Sequence, residues 1–100
     1  MKYQIVFTPE FEADIEAKVA WLEEQHAAQH TINNWFAKLY QRMWGVEDMP
    51  RLYPVDEKYT EEVGRESHKI IFREHLAIYQ VDDKNKRIEF VAFHHGSTRG

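Results

Sequence analysis

The fold is decided by residues 69–82, KIIFREHLAIYQVD, and by residues 88–95, IEFVAFHH. Both stretches are rich in β-branched and aromatic side chains, which favour the extended strands of a sheet. A charged break at residues 73–74 divides the first stretch, and residues 82–86 separate it from the second. The pattern predicts three consecutive antiparallel strands that end in a polar group of imidazoles, hydroxyls and a guanidinium at residues 94–99.

Two helical patterns precede these strands. Thr8 and Pro9 form a helix start, because the hydroxyl can cap free amides and proline suits the first helical position. Apolar residues then follow at helical spacing over residues 11–22, and a stronger stripe covers residues 32–43. Asp14, with the glutamates beside it, is expected to oppose the positive end of the helix dipole.

Shorter segments connect these elements. Residues 3–7 alternate in polarity and predict a first strand, and residues 25–30 predict a turn or a frayed extension of the second helix. Gly45 and the prolines within residues 49–54 end that helix. Residues 55–64 are acidic and lack clear periodicity, so we expect a surface loop, with room for one helical turn. The predicted class is α+β, with the order β-α-α-β-β-β and a helical hairpin packed on a small, mainly antiparallel sheet.

Composition limits where this chain works. One hundred residues with 43% hydrophobic content suit a single domain over residues 1–100. The chain has no cysteine, so disulfides and thiolate metal sites are excluded and a cytoplasmic location is expected. No apolar run approaches the ~20 residues of a membrane span, and we expect no membrane association.

The charge is unevenly distributed along the chain. Residues 1–64 carry 6 Lys and Arg against 12 Asp and Glu, whereas residues 65–100 carry 7 against 5. A chain with a net charge of −4 lacks the broad positive field on which nonspecific nucleic-acid binding depends. A protein partner is therefore the simpler expectation.

Five segments of the chain occur in a characteristic order and spacing. They are residues 3–9, the helical pair, the Met-Pro-x-x-Tyr-Pro break at 49–54, the strand LAIYQV at 76–81, and HGSTR at 95–99. Together they resemble the RelE/ParE superfamily of toxins from bacterial type II toxin–antitoxin systems, over nearly the whole chain. The resemblance implies a small cytoplasmic protein that a cognate antitoxin holds inactive, in a heterotetramer or a larger complex. It also implies one of two activities, ribosome-dependent cleavage of mRNA or poisoning of DNA gyrase.

Position 76 separates these two branches. In RelE-like nucleases an arginine typically lies three residues before the tyrosine of this strand, and here that residue is Leu76. Attack by a ribose 2′-oxygen needs cations around the phosphate and a general acid and base, and leucine offers no charge. The ParE-like branch, whose members inhibit gyrase by binding, is therefore favoured. An mRNA endonuclease acting on ribosomes and a non-toxic relative that still binds an antitoxin are the alternatives.

Each branch has its own candidate residues. The candidates for nuclease catalysis are Arg65, Lys69, Arg73, His95 and Arg99. The candidates for contact with a target or partner are Trp21, Trp44, Arg73, His94, His95 and Arg99.

Two pairs of histidines need separate treatment. His94 and His95 are consecutive in a strand and face opposite sides, so at most one of them can join a shared site. His26 and His30 are four residues apart, a spacing that could hold a metal on a helix. Since no third ligand lies nearby in the sequence, we interpret them as a solvated helix end and expect neither a metal nor a cofactor.

Overall fold

The computed structural model describes residues 2–96. Its helices and strands are β1 (Gln4–Phe7), α1 (Pro9–Glu24), α2 (Gln29–Trp44), α3 (Glu57–Val63), β2 (His68–Phe72), β3 (His75–Asp82) and β4 (Arg87–His95). None of the helices within these residues is long and apolar enough to cross a bilayer.

The four strands form one sheet in the order β1-β4-β3-β2. Strands β2, β3 and β4 are antiparallel neighbours, as the alternating apolar runs predict. β1 pairs in parallel with β4, and the chain between them includes all three helices. The predicted α+β class with a mainly antiparallel sheet is confirmed.

The helix ends follow their local chemistry. The Thr8 hydroxyl accepts a hydrogen bond from the Phe11 amide at 3.2 Å, so the predicted cap of α1 is present. A tight turn follows α1, with His26 at a φ of 60°, and α2 begins at Gln29.

The expectation of a surface loop over residues 55–64 is wrong. The segment contains the seven-residue helix α3, whose first amides are capped by the carboxylate of Asp56, 3.1 Å from the Tyr59 nitrogen. Gly64, at a φ of 71°, ends it in the left-handed conformation that glycine adopts without strain. The caps rather than any apolar periodicity mark this helix, because none of its residues is buried.

The core lies between α1 and α2 and one face of the sheet. α1 contributes Phe11 and Ile15, whose spacing of four residues places them on one side. From α2, Trp35, Leu39 and Met43 are buried at the predicted helical spacing. The sheet contributes alternate residues of each strand: Ile5, Ile70, Phe72, Ala77, Tyr79, Ile88, Phe90 and Phe93.

β4 contains a β-bulge close to the point where α1 is hydrogen-bonded to the sheet. Ile78 pairs with Ala92 but Tyr79 pairs with Phe90, so β4 has one extra residue at this point. Beyond the bulge, the amide of Phe93 donates to the Asp14 carboxylate at 3.0 Å. The Asp14 carboxylate is thus a hydrogen-bond acceptor that links α1 to β4, a contact that its predicted role at the helix dipole does not include.

The segment at residues 49–54 is tied to β2 and β3. The Tyr79 hydroxyl donates to the Pro50 carbonyl at 2.8 Å, and the Lys69 amide donates to the Pro54 carbonyl at 3.0 Å. His68 Nδ1 donates to the carbonyl of Tyr53 at 2.8 Å. Burial raises the pKa of Tyr79 to about 12, so its hydroxyl stays protonated and donating at neutral pH. Tyr79 therefore packs and anchors this segment.

Candidate functional site

The sheet has a second face, opposite α1 and α2. Because side chains alternate along a strand, the register places Lys69, Ile71, Leu76, Ile78, Ala92 and His94 on this side, here called the distal face. The distal face is mainly apolar, and Ile71 is 55% exposed.

Leu76 lies on a central strand of the distal face. Its neighbours across the sheet are Ile71 on β2 and His94 on β4. Lys69, Ile78 and Ala92 form the adjacent row. The position at which a RelE-like nuclease would carry an arginine is thus an aliphatic side chain with an isoleucine on one side and an imidazole on the other.

The remaining nuclease candidates lie in different places. The Arg65 guanidinium pairs with the Glu89 carboxylate at 3.4 Å. Arg73 lies at the β2–β3 turn, where its guanidinium carbon is 5.3 Å from the centre of the Phe72 ring. His95 lies opposite His75 on the side that carries the core. Arg99 lies outside the described residues.

His94 and His95 face opposite sides of β4, as their consecutive positions predict. Their neighbours differ accordingly, because His94 is paired with Leu76 on the distal face and His95 with His75. The rings of His75 and His95 meet edge to face, with centroids 5.2 Å apart. A single shared site can therefore include only one of these two C-terminal imidazoles.

His75 is a titratable residue that the sequence-based search missed. Its side chain is 4% exposed and stacks on Phe93 with ring centroids 5.1 Å apart. Desolvation, followed by the positive charge of Lys18, lowers its pKa to about 4. The alternation of β3 could have revealed it, because His75 has the same parity as the buried Ala77 and Tyr79. His75 is a neutral imidazole at physiological pH.

The two candidate tryptophans are both on the surface. Trp21 is 50% exposed on α1 and Trp44 is 43% exposed on α2. The Lys18 ammonium lies 4.2 Å from the Trp21 ring and 5.6 Å from that of Trp35, so Trp21 is near the middle of α2. Trp44 is nine residues further along α2, about 13 Å at the helical rise, and contacts Phe7 of β1. The tryptophans are separate contact points on the helical hairpin.

The predicted histidine pair at the first helix junction is not on one helix. His26 lies in the turn between α1 and α2, whereas His30 is in the first turn of α2. Both side chains are exposed. In the part of the chain that the structure describes, no three His, Asp or Glu side chains gather as a metal site would require.

A basic pocket lies between α2 and the end of β2. This cavity of about 430 Å³ is lined by Lys38, Gln41, Arg42, Phe72 and Arg73. We call it the α2–β2 pocket. Only Arg73 was a candidate from the sequence. The available signal was the spacing of Lys38 and Arg42, which are four residues apart and share one face of α2.

The element order, the parallel pairing of β1 with β4 and the packing of two helices on one face define a RelE/ParE-like toxin fold. The family described as the ParE toxin of type II toxin–antitoxin systems, parDE, matches residues 5–100. The chain therefore belongs to the ParE toxin family, and the resemblance inferred from its sequence is confirmed.

A solved structure shares this fold at low sequence identity. The crystal structure of the RelBE2 toxin–antitoxin complex from Mycobacterium tuberculosis matches with a TM-score of 0.58 at 11% sequence identity. The match covers 95% of this chain and 99% of that chain. At this identity, the similarity shows a shared fold. No curated protein matches the sequence significantly.

Proposed function

We propose that this chain, acting as a single domain of residues 1–100 in the cytoplasm, inhibits DNA gyrase by binding to it and is neutralised by a cognate antitoxin. The observation that carries the choice of target is that Leu76 is an uncharged aliphatic side chain, with Ile71 on one side and the His94 imidazole on the other. Ile71 is 55% exposed and supplies apolar surface beside it, whereas Ile78 is buried. Transfer of a phosphoryl group between RNA oxygens needs cations at the phosphate, and an apolar patch favours contact with a protein surface.

The positions of the other candidates support a binding function. Arg65 is paired with Glu89, and the register places Lys69 and His95 on opposite faces of the sheet. Acid–base catalysis requires its groups within hydrogen-bond reach of the same substrate, a condition that residues on opposite faces do not meet.

Exposed aromatic side chains would supply binding energy at such an interface. Trp21 and Trp44 each present about half of their surface to solvent, and tryptophan is enriched among residues that dominate protein interfaces. We propose these two tryptophans and the basic residues Arg73, His94, His95 and Arg99 as the contacts with gyrase or with the antitoxin.

The antitoxin is inferred from family and fold. The family is that of toxins from type II toxin–antitoxin systems, and the structure matched above is a toxin–antitoxin complex. We therefore propose that this chain also forms a complex with an antitoxin, as a heterotetramer or a larger assembly.

A supercoiling assay with purified gyrase tests the proposed target. We expect the purified chain to block supercoiling and to trap cleaved DNA. Trp44→Ala should weaken this inhibition by about tenfold, within the range for a tryptophan at the centre of an interface. The matched control is Met49→Ala, which removes an exposed apolar side chain that is not among the proposed contacts.

Two outcomes would reverse the proposal. Normal supercoiling together with codon-dependent cuts in mRNA on translating ribosomes would identify an endonuclease. Normal supercoiling, intact mRNA and normal growth during unrepressed expression would identify a non-toxic relative.

A further inference from the structure

The α2–β2 pocket combines a basic rim with an aromatic floor. The guanidinium carbons of Arg42 and Arg73 lie 5.7 and 5.3 Å from the centre of the Phe72 ring. Phe72 is 4% exposed, and its ring also meets Trp35 edge to face at 5.1 Å. The floor is therefore held by the core, while two guanidiniums and the Lys38 ammonium face the cavity from its walls.

Unlike Arg51, Arg65 and Arg87, these cations have no carboxylate partner among residues 2–96. Arg51 pairs with Asp83 at 2.8 Å, Arg65 with Glu89 at 3.4 Å and Arg87 with Asp82 at 3.5 Å. Across residues 2–96, no ion pair within 4.0 Å joins a carboxylate to any of the three pocket cations. In an acidic chain, such a concentration of unpaired positive charge is a site for an anion from outside.

One guanidinium of the pocket is positioned by the backbone. Arg42 Nη1 donates to the carbonyl of Ile71 at 2.8 Å, which fixes its head group at the mouth of the pocket. The remaining N–H groups of Arg42 keep the planar arrangement that matches a carboxylate.

Arg73 occupies a position that favours glycine. Phe72 pairs with His75, so residues 73 and 74 form a two-residue hairpin turn in which Arg73 has a φ of 56°. This left-handed conformation is strained for an L-residue, and glycine is the usual residue at such a place. A strained arginine beside a basic cavity is consistent with a side chain retained for binding.

We propose that the α2–β2 pocket binds the carboxylate side chains of an acidic, amphipathic peptide segment of a partner protein. Taking that partner to be the antitoxin rests on the function proposed above. The guanidiniums would hold the carboxylates, and the aliphatic parts of the segment would lie along the methylene groups of Lys38 and Arg42. Three cations in one pocket suit a few carboxylates, whereas a nucleic acid needs an extended series of phosphate contacts, which a chain with a net charge of −4 disfavours.

Fluorescence anisotropy can test this pocket directly. The probe is a fluorescein-labelled peptide of repeated Glu-Leu-Glu-Ala units, and its control is the same peptide with Gln in place of Glu. We expect the wild-type chain to bind the Glu peptide and not the Gln peptide. The double variant Lys38→Gln, Arg73→Gly should weaken binding at least about tenfold, since it removes two charge-assisted contacts. Lys84→Gln, an exposed cation in the β3–β4 turn, should change binding by less than about twofold.

A stability measurement separates a binding role from a structural one. Arg73→Gly relieves the left-handed strain, so we expect a higher urea midpoint of unfolding together with weaker peptide binding. A loss of both stability and binding would mean that Arg73 supports the turn and would count against the proposal.

Other results would overturn the pocket assignment. Equal affinity of the wild type and the double variant for the Glu peptide would do so. An oligothymidylate that binds more tightly than the peptide, and loses affinity in the same double variant, would assign the pocket to nucleic acid. If the chain binds the peptide but does not block supercoiling, the gyrase proposal is refuted and the pocket assignment stands.

Discussion

Replacing His75 by phenylalanine should change how the stability of this protein depends on pH. The imidazole is buried, stacks on Phe93 with an interplanar angle of 3°, and has its Nδ1 without a hydrogen-bond partner among the described residues. Phenylalanine keeps the stacked ring and removes the unpartnered nitrogen. We therefore expect His75→Phe to be at least as stable as the wild type at neutral pH.

The sign of the pH effect follows from the pKa of His75. Burial is the first cause that lowers it, from 6.5 to about 4, and the charges of Lys18, His95 and His94 act in the same direction, whereas Glu74 opposes them. As the pH falls below 6.5, the unfolded chain gains a proton that the folded chain does not accept until about pH 4. The wild type should therefore lose stability over this interval.

The size of the effect can be bounded. The difference between the two pKa values corresponds to at most about 3 kcal/mol. Because the folded chain can relax around the charged ring, the full difference is not realised, and we expect about 1–2 kcal/mol. His75→Phe removes this contribution, so its advantage in free energy of unfolding should grow by that amount between neutral pH and about pH 4.

Urea unfolding followed by far-ultraviolet circular dichroism at a series of pH values measures this difference. His30→Gln, an exposed imidazole on α2, is the matched control and should give a curve parallel to the wild type. Parallel curves for His75→Phe and the wild type would refute the reasoning. A titration of the His75 ring by NMR with a midpoint near its ordinary value would refute it independently.

Two further substitutions test the connections of the fold by urea unfolding. Asp14→Ala should cost about 1–3 kcal/mol, because it leaves the amide of Phe93 without its acceptor, while the exposed control Glu16→Ala should cost little; equal losses would contradict this. Gly64→Ala should lower the free energy of unfolding by about 1–2 kcal/mol because of the positive φ at this position. Steric contact adds nothing, since an added Cβ meets no atom within 4 Å. Unchanged stability would show that the end of α3 tolerates a side chain.

The strands and the two long helices could be predicted because their signals are local. The alternation of β3 and the four-residue spacing of Phe11 and Ile15 each depend on neighbours within a few positions. The cap at Thr8 is a contact between residues three apart, which the sequence displays directly. Apolar periodicity does not predict α3, because this helix buries none of its side chains, although its cap and Gly64 are equally local signals.

The candidate site was only partly predictable for a different reason. Arg73 was named from its position in the sequence, but its partners in the α2–β2 pocket come from α2, in a distant part of the chain. The register between β3 and β4 places His94 beside Leu76 and His95 beside His75. This register is a property of the strand pairing, which the sequence of β4 alone does not show.

The sequence by itself determined the four strands and the two long helices, and that position 76 holds no charge. Tertiary structure alone decided that Asp14 binds the amide of Phe93, that the pKa of His75 is depressed, and that three cations surround one cavity. The physical reason is that periodicity and caps act between residues a few positions apart. Burial and charge clustering depend on surfaces that meet only when distant segments pack against each other.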